Sequence, residues 1–238
     1  MSTATETEAI GVSPFSPIED YAFLSDCHTG ALVCPDGAVD WLCVPRFDAP
    51  SVFGTLLDRE AGAFRFGPFG INVPNARQYE PGTNVLVTTW HTPGGWVVVT
   101  DALTMGPRAG DDTVTPHTRP PADDDAEHML VRIARCIEGA VEMELVCEPV
   151  FDYGRTEAEW ALVDGSRHTA DASGAGQTIR LATDMAIGVE GNRVRARHHL
   201  NTGERLFCSL SWASGLEGPA TADRRSPPSS VQAAGVRP

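Results

Sequence analysis

The residues of this sequence best equipped for chemistry are its acids. Asp26, Asp40, Asp48, Glu148 and Asp152 all fall at strand ends or loops, where side chains from distant parts of a chain can converge. Two carboxyls facing each other at roughly 5 to 10 Å, one with a raised pKa, would supply the acid and the base that break a glycosidic bond. Surface carboxylates that keep a domain hydrated are the ordinary alternative. Spacing along the chain leaves both readings open.

Other chemistries find less to work with. Asp111, Asp112, His117 and Asp123-Asp124-Asp125 could offer oxygen to a hard cation, but they lack the spaced acids and closing Glu of a calcium loop, so a solvated loop and no bound metal are expected. No G-x-S-x-G elbow and no G-x-x-x-x-G-K-[ST] loop is present, so neither acyl-enzyme nor nucleotide chemistry is expected, and no cofactor. The six cysteines form no C-x-x-C pair and read as buried, reduced thiols. Among the five tryptophans, Trp41, Trp90 and Trp212 lie within strands and suit a core, whereas Trp160, beside a loop, is the candidate for stacking on a sugar.

These groups are positioned by strands. Ala31-Leu32-Val33-Cys34 and Val39 to Val44 flank the turn Pro35-Asp36-Gly37, and Asn84 to His91 with Trp96 to Leu103 flank Thr92-Pro93-Gly94-Gly95, two hairpins by their turn chemistry. Met129 to Ile137 and Val141 to Val146 read as a third hairpin around Glu138-Gly139-Ala140, with Val141, Met143 and Leu145 alternating against Glu142 and Glu144. Further strands are expected at Thr178 to Ala182, Ala186 to Val189, Arg193 to His199 and Glu204 to Trp212. Only Ser51 to Leu57 reads as helix, with Ser51 as cap. The fold class is therefore all-β, a large antiparallel β-sandwich with one short helix and disordered tails. The expected domain is 17–216, between a flexible tail over 1–16 and a disordered one over 217–238, and it carries a long Pro- and Asp-rich loop over 104–127.

Composition narrows the partners. A hydrophobic content of 42% suffices for a sizeable core, and a net charge of −14 opposes binding to a polyphosphate backbone while leaving neutral sugars admissible. No nucleic acid is expected. Met1 to Ile10 has neither a basic start nor an apolar stretch, and no run is long enough for a membrane span, which points to a cytoplasmic protein with no membrane partner.

The densest stretch, PIEDYAFLSDCHTGALVCPDGAVDWLCVPRFDAPSVFG over 17–54, resembles the N-terminal domain of bacterial glycoside hydrolase family 15 proteins, the trehalase-like and glucoamylase-like group. The resemblance rests on Ile18, Asp20 and Tyr21, on Asp26 and Thr29 before Ala31-Leu32-Val33, on Asp36-Gly37, Asp40-Trp41-Leu42-Cys43 and Pro45-Arg46-Phe47-Asp48. It continues through Tyr79-Glu80-Pro81-Gly82-Thr83 and Phe151-Asp152-Tyr153-Gly154-Arg155. It implies a β-sandwich that packs on an (α/α)₆ barrel, the barrel carrying two catalytic carboxylates that cleave α-glucosidic bonds with inversion.

After Trp212 the sequence runs ASGLEGPATADRRSPPSSVQAAGVRP, which departs from the acidic helical linker and barrel of that family. The expectation is a fragment lacking its barrel, with no catalytic residue of its own and no activity alone. Asp26, Arg46, Asp48 and Trp160 are the candidates for contact with the barrel or with an α-glucoside ligand. For Arg46 and Asp48, a local ion pair is the competing reading. An independent carbohydrate-binding or protein-interaction module is the alternative, and a small hydrolase using sandwich carboxylates a third. Apolar surface meant for the barrel would favour self-association.

Overall fold

The computed structural model describes residues 15–105 and 128–212. Sixteen strands lie within them. The first eight are β1 (Ala22–Ser25), β2 (Gly30–Val33), β3 (Ala38–Cys43), β4 (Ser51–Phe53), β5 (Gly62–Pro68), β6 (Ala76–Tyr79), β7 (Leu86–Thr92) and β8 (Gly95–Met105). Then come β9 (His128–Val150), β10 (Thr156–Glu157), β11 (Glu159–Leu162), β12 (Thr169–Gly174), β13 (Gln177–Thr183), β14 (Gly188–Glu190), β15 (Arg193–Asn201) and β16 (Arg205–Trp212). Every pairing between them is antiparallel.

Strand β9 organises the whole. Its first half, His128 to Cys136, pairs with β8 and β16, and its second half, Ala140 to Pro149, pairs with β5 and β15. Two layers share this one strand. The first layer contains β1 to β5, β14 and β15; the second contains β6 to β8, β11 to β13 and β16. Their inner faces meet in a single core that includes Phe53, Phe64 and Phe66 from the first layer and Trp90, Leu130 and Leu210 from the second. Each such side chain, fully buried, contributes about 1.5–3 kcal/mol.

Here the structure corrects the expected third hairpin. In the first half of β9 the buried alternation falls on Leu130, Arg132, Ala134 and Cys136; in the second it falls on Val141, Met143, Leu145 and Cys147. The inward parity flips across the exposed stretch Ile137 to Ala140, where Gly139 has φ 75°. Two alternating runs separated by a glycine look like a hairpin, because a phase change and a reversal leave the same pattern in sequence. The chain instead continues forward and changes layer. The β7–β8 turn grips this bend: the Ala140 N–H donates to the Gly94 carbonyl at 2.9 Å, and a Cβ on Gly94 would run into the Ala140 carbonyl.

The expected helix over Ser51 to Leu57 is also corrected. Ser51–Phe53 is the strand β4, paired with β3 and buried throughout, so Ser51 is a strand residue and not a cap. Among the described residues the single α-helical segment, α1 (Phe151–Gly154), is one tight turn in which Asp152 and Tyr153 have φ of 53° and 57°. Consecutive left-handed residues are costly for L side chains, so this turn is held by its surroundings rather than by propensity. Of the regions expected to be flexible, Phe15, Ser16, Thr104 and Met105 are described: Ser16 Oγ lies 3.3 Å from Cys34 Sγ, and Thr104 and Met105 complete β8. The rest of 1–16 and of 104–127, with all of 217–238, lies outside the described residues, as do Asp111, Asp112, His117 and Asp123 to Asp125.

All six cysteines are free thiols, five of them buried and Cys27 exposed. Trp90 and Trp212 are core residues, while Trp41 is half-buried with its ring 6.4 Å from that of Tyr153. Among the described residues no helix is long and apolar enough to cross a membrane.

Candidate functional site

Two loops of the first layer meet at one end of the sandwich. The β1–β2 turn, 26–29, begins with Asp26, whose Oδ1 accepts the backbone N–H groups of His28 and Thr29, each at 2.8 Å. This is the local hydrogen bonding that makes Asp a turn residue. The second loop, 44–48, follows β3 and is fastened to the first: the Phe47 N–H donates to the His28 carbonyl at 2.9 Å, and the Thr29 hydroxyl donates to the Cys43 carbonyl. Gln177 of β13 reaches across from the other layer to donate to the Val44 carbonyl at 2.9 Å.

Between the loops is an open groove of about 430 Å³ lined by Cys27, His28, Arg46, Phe47 and Asp48. Arg46 and Asp48 form an ion pair at 3.0 Å with side chains 66% and 74% exposed, and the guanidinium holds the Asp48 carboxyl below its ordinary pKa. Phe47 is 55% exposed and Phe23 is 45% exposed. Both rings close over Gly30, where a Cβ would strike the Phe23 ring and come within 3.1 Å of Phe47, so glycine is required by close approach.

Beneath the groove Asp26 is buried, and its Oδ2 lies 2.6 Å from Nδ1 of His128, the first residue of β9. Burial alone would raise the pKa of Asp26. The hydrogen bonds from His128, Thr29 and His28 outweigh it and hold the carboxyl below its ordinary value. The His128 ring stacks on Trp212 with their planes 10° apart, and His28 meets His128 edge to face at 4.8 Å.

Thus the structure gathers Asp26, Arg46 and Asp48 around one groove and leaves Trp160 elsewhere. Trp160 sits on β11 at the end of the second layer, partly buried against the core, with Nε1 donating to the Asn192 carbonyl at 2.9 Å. The remaining carboxylates engage local partners. Asp40 accepts from Tyr21 at 2.8 Å, Glu148 from Asn192 at 3.1 Å, and Asp152 pairs with Arg155 at 3.5 Å. Asp40 is buried, with no cation beside it among the described residues: burial pushes its pKa up to about 6, the Tyr21 hydrogen bond only partly opposing this.

His28, His128, Phe23 and Phe47 belong to this end of the molecule although the sequence did not single them out as site residues. For His28 a signal existed, the Asp-x-His-Thr turn opened by Asp26. None existed for His128, which stands 102 residues away from Asp26.

A family profile described as "Trehalase-like, N-terminal" matches residues 10–170. The chain belongs to this family. The matched stretch of this trehalase-like N-terminal domain takes in the groove, Asp26, His128 and Trp160. The trehalase of Mycolicibacterium smegmatis is 50% identical over 207 residues, covering 84% of this chain and 31% of the relative. The trehalase of Mycobacterium tuberculosis is 48% identical over 212 residues, 84% of this chain and 30% of the relative. Trehalase 1 of Sulfolobus acidocaldarius is 39% identical over 87 residues, 37% of this chain and 15% of the relative. The chain therefore spans about a third of the length of the two mycobacterial relatives it matches.

Proposed function

We infer that this chain is the accessory β-sandwich of a glycoside hydrolase family 15 enzyme acting on an α-glucosidic bond such as that of trehalose, and that it is inactive without a catalytic (α/α)₆ barrel. One observation carries the reading: over 84% of this chain, half of the aligned residues are identical to a trehalase, yet they cover only 31% of that trehalase's length. The carboxylates support it. Asp26, Asp40, Asp48, Glu148 and Asp152 each engage a neighbour in the domain, and of the five only Asp48 lines the groove.

In this reading the domain is the unit from 17 to 216, and the groove end is its contact surface. Phe23 and Phe47 supply apolar area, and Arg46 and Asp48 an exposed charged rim, the composition of an interface between domains. Asp26 acts by shaping the turn that carries the groove wall. Trp160, with its indole N–H engaged and its ring partly buried, is the weaker contact candidate. The same apolar surface favours self-association when uncovered. A reducing, cytoplasmic setting suits six free cysteines.

The test is glucose release from trehalose and maltose by the purified chain, alone and with the remainder of a trehalase added as a separate polypeptide. No release alone is expected. Release by the chain alone that disappears on replacing Asp26, Asp40 or Asp48 by Asn would overturn the reading.

A further inference from the structure

Asp26, His28 and His128 each bring a ligand atom to one place, all three atoms within 4.8 Å of one another. We propose that they form a binding site for a single divalent transition ion, with Zn²⁺ as the best fit to the donor set, independent of any role of the domain in hydrolysis. One carboxylate oxygen with two imidazole nitrogens is a borderline-soft set that suits Zn²⁺ and not the all-oxygen shells of Ca²⁺ or Mg²⁺.

The spacing is close to what such an ion needs. Bonds of about 2.0–2.1 Å in a tetrahedral shell place ligand atoms about 3.3 Å apart. The widest separation must close by about 1.5 Å at most, a change within reach of the half-exposed His28 side chain. The 2.6 Å contact between Asp26 and His128 must open by about 0.7 Å. For that opening the proton between Asp26 and Nδ1 of His128 must leave Nδ1, and the neutral imidazole that binds the ion carries its proton on Nε2.

Two of the three ligands are already oriented. Asp26 is held through Oδ1 by the N–H groups of His28 and Thr29, which presents Oδ2 to His128. The His128 ring lies nearly parallel to that of Trp212, with centroids 6.3 Å apart. Such supporting contacts fix the rotamers of metal ligands in general. His28 also lines the groove, so an ion has a path in from solvent. The ligands come from both layers, the β1–β2 turn and the start of β9, so an ion here would tie the layers together at this end.

The untagged full chain, stripped with a chelator, is titrated with Zn²⁺ by calorimetry and with Co²⁺ by absorption. One equivalent of Zn²⁺ is expected to bind, with Asp26→Asn and His28→Ala each weakening it by about tenfold or more. The Co²⁺ form should show visible bands without a near-ultraviolet thiolate band. His28→Gln, which keeps a side chain of similar reach, should lose binding as His28→Ala does while its metal-free unfolding midpoint stays unchanged. Absence of saturable Zn²⁺ binding would leave Asp26 and His128 a hydrogen-bonded staple and nothing more. Affinity in both His28 variants equal to that of the unaltered chain, or a thiolate band, would overturn the donor set.

Discussion

Two of the polar links between the layers are fully buried and differ in what surrounds them. In the middle of the sandwich, Arg132 of β9 makes a bidentate pair with Asp101 of β8 at 2.8 and 3.2 Å, and donates to the Phe64 and Gly37 carbonyls of the opposite layer at 2.9 and 2.7 Å. The Phe64 and Phe66 rings flank its guanidinium at 5.2 and 5.7 Å. Burial would lower the pKa of Arg132, and Asp101 more than reverses this. At the end of the sandwich, Asp26 and His128 make the second link, next to a half-exposed histidine and a groove.

A sealed ion pair with its hydrogen bonds made to protein can hold strands in register but meets no ligand. A link beside a groove has the same chemistry and a way in. Burial of charge therefore says little about function until its exits are known, and here they separate a structural bridge from a candidate site.

The largest way to break this comparison is at its structural side. Arg132→Ala leaves Asp101 buried without a cation and should cost about 3–5 kcal/mol in urea unfolding. A double change, Arg132→Met with Asp101→Leu, should recover much of that loss; if the single change costs under about 1 kcal/mol, the bridge is not what joins the layers.

Next, Asp26→Ala removes the acceptor for two backbone N–H groups and the partner of His128. It should cost about 2 kcal/mol, less than the Arg132 variant because the groove lets water reach part of the turn. An equal or larger cost would erase the distinction between a sealed and an open link.

Asp40 sharpens the comparison as a buried acid with no cation beside it among the described residues. Its carboxyl ionises near 3.8 when unfolded and at about 6 when folded, so the folded chain holds the extra proton between those values. Its contribution to stability is fully present below about pH 4 and is lost as pH rises through about 6, on the order of 3 kcal/mol at most. Asp40→Asn should flatten that part of the curve of unfolding free energy against pH; an unchanged slope would show that Asp40 titrates normally.

The smallest effect is expected at the surface. Arg46→Ala breaks an exposed pair and should change stability by no more than about 0.5 kcal/mol. Its effect should appear instead in assembly with the rest of a trehalase, measured as the dissociation constant of the two pieces. A loss above about 1 kcal/mol in the isolated chain would make the pair a structural element.

Much of the fold was legible in the residues. The hairpins β2–β3 and β7–β8 follow from alternation on either side of Pro35-Asp36-Gly37 and Pro93-Gly94-Gly95, and β13, β15 and β16 from the same period of two. Strands β1, β5, β6, β11 and β12 escaped because they are short, contain Gly or Arg, or lie at an edge where one face is wet and the apolar period is weak. The site was legible in part. Asp26, Arg46 and Asp48 stand in turns whose chemistry is local, whereas His128 opens a strand like any other residue with nothing near it to show a partner.

What the sequence determined alone is which side of the clearly alternating strands faces inward and where the chain turns tightly, since both depend on neighbours one to four residues apart. What the tertiary structure decided is which strands lie opposite one another. It carried β9 onward through Gly139 where a reversal would have read the same, and so made one strand common to both layers. It also set His128 against Asp26 and Arg132 against two carbonyls of the far layer. Those contacts span 102, 68 and 95 residues and depend on how the two layers close on the shared core, which no local pattern encodes.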